Sequence, residues 1–295
     1  MYLIIGASGF IGSHLYSYCK RNGIHVAGTY YSHSFVKEWI RFDLCQDDFG
    51  SICQNYFKEN LPKAVIVCGA NANIDNCKRD EYGSRLLNVE GTRRIFEQAA
   101  EMGVKSVFLS SEAVFDGYRG MYREEDVPNP LTLYGRQKLQ IEEYMAGRLD
   151  EYLIFRLSRA VGSSFGEKDI FHEFYNRIIC QKEIICLKEQ SFCLTEVDDI
   201  ACTIIRALES GINGVYHLAS NNYITRFDLA NIYAKKIFGG YGKILEMEYE
   251  NFKFLDHRHI HGGLRGDRLA GLLGMKYMDI ETILDRYKRS YRRNG

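Results

Sequence analysis

Proline occurs only 3 times in this 295-residue chain, tryptophan once, and 38 basic residues are matched by 38 acidic ones. So little proline excludes collagen-like or polyproline structure. A formal net charge of +0 removes the broad field on which nucleic-acid and membrane-surface binders depend, so neither partner is expected. No stretch approaches 18 consecutive apolar residues, and no bilayer-spanning helix is expected. Met1-Tyr2-Leu3-Ile4-Ile5 lacks the basic and small-residue signals of a secretory leader. C-x-x-C pairs are absent among the 9 cysteines, which are therefore read as small apolar residues of a cytoplasmic chain and not as zinc or redox groups.

What remains is ordinary globular material, 46% hydrophobic and 26% charged, long enough to bury roughly three quarters of its unfolded surface. Apolar runs of strand length recur at Tyr2–Ile5, His25–Thr29, Ala64–Cys68, Val107–Ser110 and Tyr152–Leu157. Helix-like stretches stand between them at Ile11–Asn22, Ser84–Met102 and Leu131–Gly147. Alternation of this kind predicts an α/β fold with a doubly wound parallel sheet, and continuous runs such as Val65-Ile66-Val67 suit strands covered on both faces. Beyond about Gly162 the pattern loosens into helices near Ile170–Gln181, Asp198–Glu209, Phe227–Phe238 and Asp279–Arg293, while Gly214–Leu218 reads as a strand returning to the first sheet. The expected division is a dinucleotide-binding domain over 1–160 and 194–219 and a smaller, interwoven substrate lobe over 161–193 and 220–295.

The first strand runs directly into Gly6-Ala7-Ser8-Gly9-Phe10-Ile11-Gly12. In G-x-x-G-x-x-G between a strand and a helix, Gly6 permits the tight turn, Gly9 lets a pyrophosphate approach the backbone, and Gly12 lets strand and helix pack closely. Phe10 and Ile11 open a helix whose free N–H groups suit an anion. A nicotinamide dinucleotide is the expected ligand. The second strand ends at Thr29-Tyr30 without the acid that would hold ribose hydroxyls and repel a 2′-phosphate, so the sequence leans towards NADP, with NAD the alternative. Asp43 and Leu44, after a further short apolar step, are candidates beside the adenine, with a plain loop cap as the competing reading. Cys68, Gly69 and Ala70, ending the strand at 64–68, are candidates beside the cofactor.

Tyr134 and Lys138 stand four residues apart and so share one face of the expected helix. Y-x-x-x-K is common by chance and would ordinarily be a surface pair. Here it accompanies the glycine loop and the hydroxyls of Ser110-Ser111 at a strand end, and groups at strand carboxyl ends meet at the crevice of an open parallel sheet.

Together these segments resemble an extended short-chain dehydrogenase/reductase of the Rossmann type, within the NAD-dependent epimerase/dehydratase superfamily, and especially its dTDP-4-dehydrorhamnose reductase branch. Beyond the glycine loop the resemblance rests on Ser110-Ser111-Glu112-Ala113-Val114-Phe115-Asp116-Gly117, on Leu133–Lys138, on Asn88-Val89-Glu90-Gly91-Thr92, on Arg156-Leu157-Ser158 and on Glu196–Ala201. It implies Ser111 as the hydroxyl that holds the substrate carbonyl, Tyr134 as the general acid, and Lys138 as the ribose-binding, phenol-tuning lysine. A phenol titrating near 10 must fall by about 3 pH units, about 4 kcal/mol, to exchange protons near neutrality. The implied reaction is NAD(P)H-dependent reduction of a keto group on a nucleotide-activated deoxysugar.

Departures from that branch mark the substrate side. Ala113 replaces the tyrosine of S-T-D-Y, and Arg159 stands where tryptophan usually follows R-x-S, exchanging aromatic surface for a cation that can bind phosphate or carboxylate. Glu112, Arg159 and Arg258 are the candidate substrate contacts. Dehydratases of the superfamily resemble T-D-E here, and Ala113 cannot move a proton, which disfavours dehydration. A sugar-nucleotide 4-epimerase and a non-catalytic, cofactor-binding regulatory subunit remain as alternatives, and a homodimer is left open as the assembly. His257, His259 and His261 lack a completing ligand set and are not read as a metal site.

Overall fold

In the computed structural model, which describes residues 1–58 and 60–294, the early apolar runs become neighbours in one sheet. Strands β1 (Tyr2–Ile5), β2 (Val26–Tyr30), β3 (Ile40–Arg41), β4 (Ala64–Val67), β5 (Lys105–Ser111), β6 (Tyr152–Leu157) and β10 (Gly214–Leu218) lie in the order β10-β6-β5-β4-β1-β2-β3. Every pairing is parallel. The order reverses between β1 and β4, so the crevice outside the strand carboxyl ends opens there.

Side-chain alternation along each strand explains why the runs are apolar throughout. Leu3, Ile5, Val65, Val67, Phe108 and Ile154 point to one face, onto Ile95 and Phe96 of α5 (Thr92–Glu101) and Ile141 and Met145 of α6 (Leu133–Arg148). Ile4, Ile66, Val107, Leu153 and Phe155 point to the other, onto Leu15 and Cys19 of α1 (Phe10–Arg21) and Ile200 and Ile204 of α8 (Val197–Glu209). Burying each such side chain stabilises the fold by about 1.5–3 kcal/mol.

The expected helix over Ser84–Met102 is interrupted. Short α2 (Phe49–Ile52), α3 (Ile74–Arg79) and α4 (Glu81–Arg85) precede a π-helical turn at Leu86–Gly91 before α5 begins. The turn brings the backbone at Gly91 against the carbonyl of Leu44, where a Cβ would lie 2.1 Å from that oxygen. A regular helical period cannot report such a one-residue insertion.

The second lobe contains a three-stranded sheet ordered β11-β9-β7, from β7 (Arg159–Val161), β9 (Ser191–Glu196) and β11 (Tyr223–Thr225), and a pair of β8 (Ile184–Leu187) with β12 (Ile244–Met247). Helices α7 (Ile170–Ile179), α9 (Arg226–Phe238) and α11 (Ile280–Asn294) supply its aromatic core, with Phe171 stacked on Tyr233 at 5.5 Å. Short α10 (Asp267–Leu273) packs back on the first sheet through Leu269. The chain crosses between the lobes at Ser158, through α8 and again after Leu218. Among the described residues no helix is long and apolar enough to cross a membrane.

Candidate active site

The glycine loop fits a pyrophosphate by what it leaves out. Gly6 has φ +84, and a Cβ there would lie 2.6 Å from the backbone nitrogen of Gly69. At Gly12 a Cβ would lie 2.3 Å from the Gly6 carbonyl. Gly9 caps α1 in an extended conformation with no side-chain cap, so the first-turn N–H groups are open to an anion. Phe10 lines the adjoining cavity, while Ile11 packs partly buried against the sheet.

Several expected cofactor residues turn out to hold this loop in place. Thr29 is buried and accepts a hydrogen bond from Gly6 N at 3.0 Å, which anchors the turn. Tyr30 ends β2, half-buried. Asp43 behaves as a loop cap, accepting from Cys45 N at 2.8 Å. Leu44 is buried, with a methyl 2.9 Å from where a Cβ on Gly69 would lie. Cys68 and Gly69 both donate to the Ile5 carbonyl, at 2.9 and 3.0 Å, and Ala70 follows half-buried. These contacts bring the end of β4 against the glycine turn.

Ser111 ends β5 and caps the 3₁₀ turn that follows, its hydroxyl accepting from Ala113 N at 3.2 Å. Thr132 caps α6, accepting from Gly135 N at 2.9 Å, and thereby sets the first turn that carries Tyr134. Tyr134 and Lys138 are both buried. Lys138 donates to the Leu109 carbonyl at 2.8 Å and lies 5.6 Å from the centre of the Tyr134 ring. Burial pushes the lysine down to about 8. Burial also pushes the Tyr134 phenol above its ordinary range, against a smaller lowering by the Ser111 hydroxyl. The expected depression of the phenol is therefore not a property of the protein alone, because desolvation outweighs the neighbouring donors.

A cavity of about 920 Å³ opens in front of these groups, lined by Phe10, Ser111, Glu112, Tyr134, Arg159 and Arg258 among others. Glu112 accepts at one oxygen from the Ser158 hydroxyl and from Gly263 N, each at 2.6 Å, and burial raises its pKa. Arg258 does not stand free, being paired with Asp75 at 2.7 Å and lying 4.8 Å over Phe254. His259 packs under Gly117, and burial pushes it down to about 4, so it offers no imidazolium to an anion near neutrality. Arg159 faces the cavity over Phe192, 5.3 Å from the ring centre.

Sequence reasoning missed the layer behind the site. Glu142 of α6 and Arg156 of β6 form a buried pair, with Arg156 Nη2 at 2.6 Å and Nε at 3.1 Å from the carboxylate. Ser110 donates to the same carboxylate, and the guanidinium lies 5.1 Å over Phe115. Asn88 donates to Gln137 at 2.8 Å and accepts from Asn71 N at 2.9 Å, fixing the loop after β4 against α6. The i, i+4 spacing of Lys138 and Glu142 was the available signal.

The chain is similar in sequence and fold to known proteins. A family model described as the RmlD substrate binding domain matches residues 1–250. Methionine adenosyltransferase 2 subunit beta of Xenopus tropicalis is 28% identical over 238 residues, covering 77% of this chain and 69% of that protein. The structure of a hypothetical dTDP-4-dehydrorhamnose reductase from Sulfolobus tokodaii superposes with a TM-score of 0.83 at 26% identity, over 97% of this chain and 98% of that one. A dTDP-4-dehydrorhamnose reductase from Bacillus anthracis in complex with NADP gives a TM-score of 0.82 at 22% identity, over 97% of each chain, a likeness of fold. The chain belongs to the RmlD substrate-binding domain family.

Proposed function

We propose that the protein is an NAD(P)H-dependent oxidoreductase that reduces a keto group on a nucleotide-activated sugar, with the deoxysugar of dTDP-4-dehydrorhamnose reductases as the reference substrate. The observation that carries this reading is that Ser111 and Tyr134 line one cavity with Phe10 of the glycine loop, while the Lys138 ammonium lies 5.6 Å from the centre of the Tyr134 ring. In it, the dinucleotide, when bound, supplies the hydride. Ser111 holds the carbonyl oxygen, and Tyr134 gives its proton to the forming alkoxide. Lys138 holds the ribose and favours the phenolate electrostatically. Glu112 and Arg258 act from the cavity wall, Glu112 by fixing Ser158 and Gly263 beside the reacting end.

NADP is the preferred dinucleotide in this reading. Arg41 lies 5.8 Å from the centre of the Tyr31 ring, and Ser32 bonds His33 at 2.9 Å, so the end of β2 offers a cation and hydroxyls where an acid would exclude a 2′-phosphate. The reading takes the cytoplasm as its location and a homodimer as its assembly, which sedimentation of the purified protein checks.

The test is to supply NADPH or NADH with a panel of nucleotide 4-keto sugars and follow oxidation of the nicotinamide. Turnover that stops in Tyr134→Phe supports reduction. Sugar product formed without net cofactor consumption favours the epimerase instead. Likeness to the methionine adenosyltransferase subunits favours a second reading, a cofactor-binding regulatory subunit. Tight dinucleotide binding with no turnover of any sugar would select it.

A further inference from the structure

Arg159 is a cation without an ionic partner. Among the described residues it forms no ion pair and no hydrogen bond, and its guanidinium reaches the cavity while held over Phe192 at 5.3 Å. Its strand is pinned by pairing Arg159 with Leu194 of β9, so the base of the side chain cannot drift. The other cations of the cavity are occupied or lie elsewhere on its wall. Arg258 is matched by Asp75 at 2.7 Å and Arg226 by Glu173 at 2.6 Å. Arg177 donates to the Glu183 carbonyl at 3.2 Å, and Lys168 is exposed.

Among the described residues the acids around Arg159, which are Glu112, Glu173 and Asp169, favour its charge only from beyond ion-pair distance. Glu112 is its strongest electrostatic neighbour, but one oxygen of that carboxyl is held by Ser158 and Gly263, and burial favours its neutral form. Asp169 accepts from Gly162, Phe171 and His172 backbone N–H groups, and burial pushes it up to about 6. Arg226 adds a like charge nearby. Always protonated, exposed towards the cavity from a strand-held backbone and offering a planar fork of donors, a guanidinium so placed is suited to a carboxylate.

Its position identifies which part of a ligand it meets. Arg159 follows Ser158, whose hydroxyl holds Glu112, the residue after Ser111. Arg159 lines the same cavity as Ser111 and Tyr134, and Glu112 is its strongest electrostatic neighbour, which puts it on the Glu112 side of that cavity. We propose that Arg159 binds a carboxylate borne by the glycosyl ring, so that the substrate is a nucleotide-activated keto sugar acid and not a neutral deoxysugar. This inference rests on the nucleotide-sugar reading above.

The test titrates the full chain, saturated with NADP⁺, with UDP-glucuronate, UDP-glucose and UDP and with the dTDP counterparts of each. The wild type is expected to bind the glucuronate about 10- to 100-fold more tightly than the glucose form, the range of charge-assisted hydrogen bonds. Arg159→Gln should erase that difference and leave UDP affinity unchanged, while Arg159→Lys should keep part of it. Unchanged NADP⁺ affinity reports that each variant is folded. Equal wild-type affinity for the two sugars would overturn the inference, as would an Arg159→Gln variant that loses UDP itself, which would place the arginine on the diphosphate. Binding of NADP⁺ with no affinity for any nucleotide or nucleotide sugar would overturn the underlying reading as well.

Discussion

The two walls of the cavity are held in different ways. Behind Ser111, Tyr134 and Lys138 lies a buried ion pair, with Arg156 gripping both oxygens of Glu142 through Nε and Nη2. Three positions further along the chain, Arg159 faces the cavity and has no such partner among the described residues. One wall has its geometry fixed before any ligand arrives, as proton transfer demands. The other keeps a charge in reserve, and that charge has value only when something anionic enters. Preorganisation and selectivity are thus divided between side chains of the same strand-to-strand passage.

The largest expected effect falls on the fixed wall. Tyr134→Phe should lower kcat by about 10²- to 10⁴-fold while dinucleotide affinity measured by calorimetry stays within about twofold; retained turnover would remove the phenol from the chemistry. Next in size, Glu142→Ala leaves the Arg156 charge buried and unpaired, and should cost about 3–5 kcal/mol in a denaturant titration. The same titration on Arg159→Ala should move by no more than about 0.5 kcal/mol, and equal losses in the two variants would dissolve the contrast between the walls.

A smaller effect concerns an ionic cluster that ties α1 to α8 and to the chain before α7. Both ring nitrogens of His14 on α1 lie 2.9 Å from carboxylate oxygens, those of Asp198 on α8 and of Glu167 just before α7. Two acceptors require an imidazolium. Burial opposes the charge, but the two carboxylates outweigh it and push His14 up to about 9. Because the folded-state value is raised, the stabilisation is fully present below the unfolded value near 6.5 and is lost as pH climbs through about 9. Raising the pH from about 6 to about 10 should remove about 2 kcal/mol of unfolding free energy, after discounting for partial exposure. In His14→Gln that loss should vanish. Smallest is Thr29→Val, which strands Gly6 N and should cost about 1 kcal/mol of stability together with a several-fold rise in dinucleotide Kd; an unchanged Kd would show that the loop holds its shape without that bond.

Much of the fold was legible because the strands are covered on both faces and so read as unbroken apolar runs, and because Gly6 and Gly12 have a steric reason to be glycine. The return of Gly214–Leu218 to β6 could be read for the same reason. Legibility failed where three-dimensional register decides a residue's role. Glu142 looks like any exposed acid on an amphipathic helix, and only the pairing of Ser110 with Arg156 reveals that it is buried between them. Thr29 offered a hydroxyl to a ligand on paper, yet the turn of Gly6 claims it. Arg258 and Arg159 were equivalent as letters, and Asp75, distant in sequence, separates them by neutralising one.

The most direct measurement is a crystal structure of the protein with NADPH bound. The account predicts the nicotinamide ring between the glycine loop and α6, with the Tyr134 phenolic oxygen and the Ser111 hydroxyl both within about 3.5 Å of one carbonyl-sized position next to the ring's C4. A ring bound away from that phenol, or a Lys138 ammonium out of reach of the adjoining ribose, would contradict it.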